Sequence, residues 1–470
     1  MAETDNKVKD RVLNSIVTKM EKQQHLKSVL LCLVFLFFSL LIPDVGVKQL
    51  PAQEPQTLTL AQAIQIALQE NISLKQFYNV LVSDRIDIKQ SEYNFLPNLN
   101  ASISGSKNYP KQGISSESVN GSVNSNLNIF NGFYDVARLN ITRLGWASDT
   151  ASYSWNRQSI IYSTVSQFIQ VVLDSEFIRI AMDNLSTQQD QLKQIEAFEK
   201  VGNRSKVDVY QQMSDMKQSE LQLLQAEQNY QVSRYGLLQI LGKSAEVNIH
   251  FQSLPVDTLN SIFANQAPET NLAEVRETRE DVLAQKYQIE AAHYQIRAAQ
   301  SGYWPTLSLS AGAGSNYRSG IDGLDFSDQF FNDNPYFGLS LSFSMPLFDR
   351  FATCNNVQQA EIQLSTQQLN FRNLDLQISS QVQQSLLDYS TAVKQREVAH
   401  AQYEYASEAL KISEERFRVG SSTYIELSQV RTNFYNAAYQ RVSADYNLLL
   451  NYISIHYFSG NIDAAISIFN

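Results

Sequence analysis

Glycine and proline are scarce, at 17 and 10 in 470 residues. Both fall below average usage, which leaves little punctuation for many separate folds and calls for long uninterrupted elements. Cysteine is scarcer still. Of the two, Cys32 lies in an apolar segment expected to be removed, so Cys354 would stand alone and an internal disulfide is excluded. Positive charge is in deficit, with 37 Lys and Arg against 47 Asp and Glu. That balance disfavours a nucleic-acid partner. At 18% charged and 43% hydrophobic residues, the chain is neither disordered nor a polytopic helical membrane protein.

Long hydrophobic runs are also missing, with one exception. Residues 29–42, VLLCLVFLFFSLLI, are short for a membrane span and follow Lys22, His25 and Lys27. They read as the core of a signal peptide, with an uncleaved anchor as the competing reading. Residues 1–52 are therefore expected to be a signal peptide with an N-terminal extension. Met20 would give a conventional n-region and stands as an alternative start to Met1, and cleavage is expected near Ala52. Removal leaves 30 Lys and Arg against 42 Asp and Glu, and places Cys32 away from any mature N-terminus that could carry a lipid.

Catalytic signatures are absent too: no HExxH, no CxxC, no P-loop lysine and no nucleophile elbow. The histidines left after cleavage, His250, His293, His400 and His456, are widely spaced. The AGAGS stretch around Gly312 and Gly314 lacks a following lysine, so a phosphate cradle is not expected there. Neither an enzyme nor a cofactor or metal site is expected.

What is present is a duplication. QSEYNFLPNLN at residues 90–100 corresponds to QSGYWPTLS at 300–308, NIFNG at 128–132 to PLFDR at 346–350, and KVGNRSKVDV at 200–209 to RVGSSTYIEL at 418–427. From Phe130 to Gly202 is 72 positions, and from Phe348 to Gly420 is again 72. A spacing kept without insertion implies a constraint on element length. Between Asp349 and Val419 there is no Gly or Pro, and none between Trp146 and Val201. At about 1.5 Å per residue such helices reach roughly 105 Å, and a rod of that length needs lateral partners. Leu364, Leu369, Leu374, Ile378, Val382 and Leu386 recur at mixed spacings for that packing.

The expected organisation is a first repeat over 53–241, with a short helix, a β-hairpin at 97–130, a long helix at 132–200 and a returning helix at 205–241. A linker at 242–275 follows. The second repeat covers 276–458, with a short helix, a β-hairpin at 305–348, a long helix at 349–418 and a returning helix at 422–458, before a tail at 459–470. Each hairpin strand alternates. Leu99, Ala101 and Ile103 oppose Asn and Ser, as do Val119, Val123, Leu127 and Ile129, while Leu307, Leu309, Ala311 and Ala313 oppose Thr, Ser and Gly. In the fourth strand Phe337, Leu339, Leu341, Phe343, Met345 and Leu347 share one parity against Gly338, Ser340, Ser342 and Ser344. Four strands cannot close a barrel, so a membrane role requires several chains.

With LTLAQAIQIALQEN at 58–71, the turns YNFLP and YWP, and the two VG helix tips, the sequence resembles the TolC family of outer-membrane efflux proteins over residues 55–460. The resemblance implies a mainly α fold with a β-barrel part. Duplicated helical hairpins form an α-barrel tunnel, and four strands per chain complete a trimeric 12-stranded transmembrane β-barrel. It also implies a homotrimer in the outer membrane of a Gram-negative bacterium, with its tunnel in the periplasm. Such a trimer contacts outer-membrane lipid and a periplasmic adaptor protein, and acts as a passive exit duct for an inner-membrane transporter. Residues 242–275 and the tail would form the equatorial region.

Carried over by position, Asp208 and Glu426 line the periplasmic constriction, and the tips Val201, Gly202, Asn203, Val419, Gly420 and Ser421 contact the adaptor. Gln429 stands where some relatives carry a second acid, and Ser422 where some carry a basic residue, which leaves Arg204 as the candidate gate partner. The residues by themselves also read as helix caps. Both acids fall in a first helical turn, and Thr423 with Glu426 has capping-box spacing. A cell-surface coiled-coil structural or adhesion protein is the alternative function, and a periplasmic adaptor a further one. The aromatic loop at 315–335 reads either as an exposed receptor loop or as a lid over the barrel mouth.

Overall fold

The computed structural model describes residues 56–109, 111, 115–247, 249–253, 271–319 and 325–466. All but Gln56 belong to one compact unit that begins at Thr57. The expected signal peptide lies outside the described residues.

Two helices of 67 residues dominate, α3 at Tyr134–Lys200 and α7 at Ala352–Arg418. Each spans about 100 Å. Each is followed by a 35-residue return, α4 at Lys206–Ile240 and α8 at Tyr424–Phe458. Every bound in the second pair lies 218 positions after its counterpart: 134 to 352, 200 to 418, 206 to 424 and 240 to 458. The long helices start two and three residues later than the expected 132 and 349. A left-handed turn intervenes, with positive φ at Gly132 and Phe133 in one repeat and at Arg350 and Phe351 in the other. Asn131 and Asp349 satisfy the first helical N–H groups, accepting from Asp135 N–H at 3.4 Å and Thr353 N–H at 2.7 Å. That is the physical content of the NG and DR ends of the repeated motif.

The expected short helix of each repeat is divided. In the first, α1 (Leu60–Glu70) and α2 (Ile72–Tyr93) break at Asn71. Its side chain caps Leu74 N–H at 3.1 Å and donates to the Ile240 carbonyl at 2.8 Å. In the second, α5 (Leu272–Thr278) and α6 (Glu280–Gln300) break at Arg279, which is buried and donates to the Phe458 carbonyl at 3.1 Å. The second repeat thus begins inside the expected linker. That linker also holds strand β4 (Ile249–Phe251), paired with β1 (Gln56–Leu58). The tail contains a helix, α9 at Ile462–Ile466.

The remaining strands form one antiparallel sheet, ordered β2 (Asn98–Asn108), β3 (Ser116–Asn131), β5 (Thr306–Arg318), β6 (Tyr336–Ser344). Direct cross-strand partners point to the same side. Ala101 lies opposite Val123, Val123 opposite Ala313, and Ala313 opposite Phe337. Leu127, Leu309 and Leu341 form a second such row. One face is therefore apolar across all four strands, and the other carries Ser102, Ser122, Asn126, Ser310 and Ser340. Hydrogen bonds between Ser102 and Ser122 at 3.0 Å, and from Ser310 to Asn126 at 3.2 Å, lace the polar face. Two parity assignments change. A bulge between Asn128 and Phe130 sets Phe130, not Ile129, opposite Leu307. Met345 and Leu347 lie beyond the strand, which ends at Ser344 just before Pro346.

The main core sits at mid-length. Ile161, Val165, Phe168 and Ile169 of α3 pack there with Leu237 and Leu238 of α4, Leu449 and Ile453 of α8, Ala63 and Ala67 of α1 and Ile462 of α9. Among the long helices α3 packs with α4, α7 with α8, and α8 with α3, so α4 and α7 are the outer members. Ile378 and Val382 are buried as the spacing requires, but Leu369 is 63% exposed.

Candidate functional site at the hairpin tips

Each tip is a glycine turn. Gly202 and Gly420 sit at φ +77° and +79°, and nothing lies within 4 Å of a Cβ built at either. Glycine is required there by backbone conformation and not by space. Both turns close in the same way. Gly202 N–H donates to Glu199 O and Asn203 N–H to Phe198 O, while Gly420 donates to Phe417 O and Ser421 to Arg416 O, at 2.8 to 3.1 Å. This doubled pairing satisfies the last helical carbonyls.

Beyond the turns, the acids expected at the constriction are engaged locally. Asp208 closes a capping box with Ser205: its N–H donates to Ser205 Oγ and its carboxylate accepts from Ser205 N–H, both at 3.2 Å. Glu426 makes only half of the expected box. Its N–H donates to Thr423 Oγ1 at 3.2 Å, but its carboxylate accepts from Ser422 Oγ at 2.7 Å. That hydroxyl holds Glu426 below the usual carboxylate range. Arg204 places its guanidinium over the Phe417 ring, 4.4 Å from the centroid, and so ties the first tip to α7. Gln429 donates to Asn433 on its own helix.

Apart from Arg204, the residues that join the two hairpins were not singled out in the sequence. Asp215 of α4 accepts from Tyr424 Oη at 2.6 Å and Ser428 Oγ at 2.8 Å. Burial, reinforced by the Asp215 carboxylate, pushes the Tyr424 hydroxyl up. Arg431, 3% exposed, donates to Glu414 at 3.1 Å and to Gln191 of α3 at 3.5 Å. Around them Ile195, Phe417, Tyr424 and Leu427 form a small separate core. The legible signal was a cation on the 424, 427, 431 stripe, a helical face otherwise apolar. Outside this core the tips present apolar side chains to solvent: Val201, Val207 and Tyr210 on one, Val419 and Ile425 on the other. Among the described residues no cluster of His, Cys, Asp and Glu could hold a metal ion, and no helix is long and apolar enough to cross a membrane.

The family model for outer membrane efflux protein matches residues 63–243 and 271–461, both repeats. The chain belongs to this family. It is 25% identical over 285 residues to the pyoverdine export outer membrane protein OpmQ of Pseudomonas putida, a match covering 59% of this chain and 57% of OpmQ. To the outer membrane protein TolC of Escherichia coli it is 25% identical over 191 residues, covering 39% of this chain and 38% of TolC. The matched stretches thus span less than two thirds of these curated relatives. Its fold is that of the Campylobacter jejuni CmeC outer membrane channel, with a TM-score of 0.75 at 16% identity, covering 90% of this chain and 93% of CmeC.

Proposed function

We propose that this efflux-family protein is an outer-membrane exit duct of a tripartite efflux or secretion system. In this reading three copies form a 12-stranded barrel and a periplasmic tunnel, passively carrying cargo delivered by an inner-membrane transporter through a periplasmic adaptor. It is a conduit and not an enzyme. One observation carries the reading: both layers of the chain are open on both flanks. In the sheet, β2 and β6 are edges with unpaired backbone groups, and Phe337, Leu339, Leu341 and Phe343 are each more than 60% exposed. Such edges are intolerable in lipid unless they pair, and such a face is costly in water.

In the tunnel the outer helices carry the matching signal. On α7, Leu369, Leu376, Leu387, Val398, Tyr405 and Ile412 are all more than half exposed, at spacings of 7, 11, 11, 7 and 7. Seven residues fall just short of two turns and eleven just past three, so the stripe holds one side of the helix. On α4, Tyr210, Leu221 and Val232 recur every eleven residues and are also exposed. The α7 stripe of one copy has the α4 stripe of the next as its natural partner. The apolar tips, Val201, Gly202 and Asn203 with Val419, Gly420 and Ser421, are assigned to the adaptor. Asp208 and Glu426 are assigned to the constriction, with capping as their second role. Arg204, assigned as the gate partner, also braces the two hairpins through its stack on Phe417.

Reconstitution of the purified protein in planar bilayers tests this. Expected are a cross-linked species of three chains and cation-selective channels blocked by a trivalent cation from the tip side, since clustered carboxylates attract cations. The double change Asp208→Asn and Glu426→Gln should weaken that block sharply while leaving conductance in place. Unchanged block would withdraw the constriction assignment alone. A monomer without conductance would sink the duct.

A further inference from the structure

The far end of the sheet carries an aromatic loop whose position bears on neither cargo nor adaptor. Its described part, residues 325–335, contains a π-helical turn, Asp328–Asp333. Gln329, 2% exposed, fastens it to the strand: it accepts from Arg318 N–H at 3.0 Å and donates to Arg318 O at 3.1 Å. Ser315 donates to the Phe330 carbonyl, and Asn334 to the Asn316 carbonyl at 2.7 Å. The loop is thus fastened to β5, mainly by its Gln329 and Asn334 side chains on the strand backbone.

The side on which it lies follows from register. Gly121 pairs with Ile103 and Ser315, so its missing side chain belongs to the apolar face. A Cβ built on Gly121 would meet the Phe330 ring at 2.9 Å. The loop therefore folds onto the apolar face and away from the polar one. Tyr317, on the same face, lies edge-on to Phe326 at 5.2 Å, Phe326 stacks on Phe330 at 5.1 Å, and Phe331 meets Phe330 at 5.3 Å. Beneath the rings is a cleft of about 600 Å³ lined by Ala101, Ile103, Val123 and Ala313.

We propose that this loop is a membrane anchor: its phenylalanine rings sit just beneath the headgroups, at the acyl boundary of the leaflet at the far end of the barrel, and the cleft takes a lipid acyl chain. The inference rests on the barrel reading. Three observations fix the occupant. From Leu307 to Tyr317 is about 33 Å of strand, or roughly 25 Å of height at a 40° tilt, the apolar band of a membrane barrel. On that face the ion pair Lys107–Glu117 appears only level with the loop, where a bilayer turns polar. At the opposite end, next to the helices, a second aromatic group stands exposed: Phe133, Trp304, Phe348 and Phe351. Aromatic groups at both limits of an apolar band match the aromatic girdles of a membrane barrel, with Tyr317 and Trp304 able to turn a polar edge to the headgroups. The geometry speaks against a lid over the mouth, which would need contacts on the polar face.

Spin labels decide it. In a chain whose native cysteines are serines, Phe331→Cys, Leu341→Cys and Ser342→Cys are labelled singly, reconstituted in phosphatidylcholine vesicles and probed with oxygen and a water-soluble nickel complex. Oxygen should dominate at 331 and 341, and nickel at 342. Nickel dominance at 331 with oxygen dominance at 341 overturns the anchor and leaves the barrel standing. Nickel dominance at both overturns both. Adding Gly121→Ala, which evicts the Phe330 ring, should raise the nickel-to-oxygen ratio at 331 severalfold and leave 341 unchanged. No response at 331 would show that the contact of Phe330 with Gly121 does not hold the loop on this face, and would overturn the anchor.

Discussion

The two hairpin tips share a backbone and differ in chemistry. Both helices end in the same left-handed glycine turn, and both returns begin four residues later with a capped first turn. At the 218-residue offset, however, exposed Lys206 faces buried Tyr424, Met213 at 41% exposure faces Arg431 at 3%, and Arg204 faces Ser422. The second tip is seated against the first through Tyr424, Ser428 and Arg431, while the corresponding surface of the first tip is turned outward. Duplication has thus kept what lateral packing of rods demands, namely equal length and equal turns. It has released the side chains according to whether a face lies inside the chain or on its flank.

The sharpest way to break this comparison is at its most unequal pair. Arg431→Ala should destabilise the folded chain by about 3 kcal/mol, because it empties a buried site and leaves Gln191 without its donor. The matching change Met213→Ala, on an exposed face, should cost less than about 1 kcal/mol in the isolated chain. Urea unfolding followed by helical ellipticity measures both. Equal losses would mean that the two tips are not differentiated in the way their burial implies.

The glycines test the shared half. Gly202→Ala and Gly420→Ala should each cost about 1 to 2 kcal/mol, since a side chain at positive φ is strained. Open space around both means that strain is the whole effect, so the two costs should agree within about 0.5 kcal/mol. A disparity in the same unfolding assay would show that one turn bears a load the other does not.

What could be read in the sequence was what local rules control. Missing Gly and Pro and a fixed 72-residue spacing announced two equal rods, and period-2 alternation gave a sheet with one apolar and one polar face. What escaped depends on distant partners. Asn71 looks like any helical asparagine until the Ile240 carbonyl arrives 169 residues later, and Arg279 until the Phe458 carbonyl arrives after 179. The bulge at Ile129 is set by pairing with β5, which belongs to the other repeat. At the tips, the family pattern drew attention to Asp208 and Glu426, whose bonds are local. The inter-hairpin seam at Asp215, Tyr424 and Arg431 carried only the faint signal of a cation on an apolar stripe.

The comparison of repeats sharpens furthest, and with the smallest expected effect, at Asp84. Aligned on QSEY and QSGY, an offset of 210, its counterpart is Tyr294, which lies under Arg297 at 4.9 Å. Asp84 has no such cation. It is partly enclosed between α2 and α3, and burial, together with the charges of Asp149 and Asp87, pushes its carboxyl up to about 6. Arg85, the adjacent cation, stacks instead over Trp146 at 5.5 Å. The folded chain therefore keeps a proton that the unfolded chain releases near pH 4, and stability rises as pH falls from about 6 toward 4. At pH 7 the ionised group opposes folding. Asp84→Asn keeps the shape without the charge, so it should raise the melting temperature at pH 7 by a small margin that closes by pH 4. A tyrosine already fills the matching position in the second repeat, so Tyr294→Phe should leave the pH profile unmoved. If the wild type and Asp84→Asn melt in parallel across this range, the carboxyl is solvated in the folded protein, and the first repeat carries no pH-dependent weakness that the second lacks.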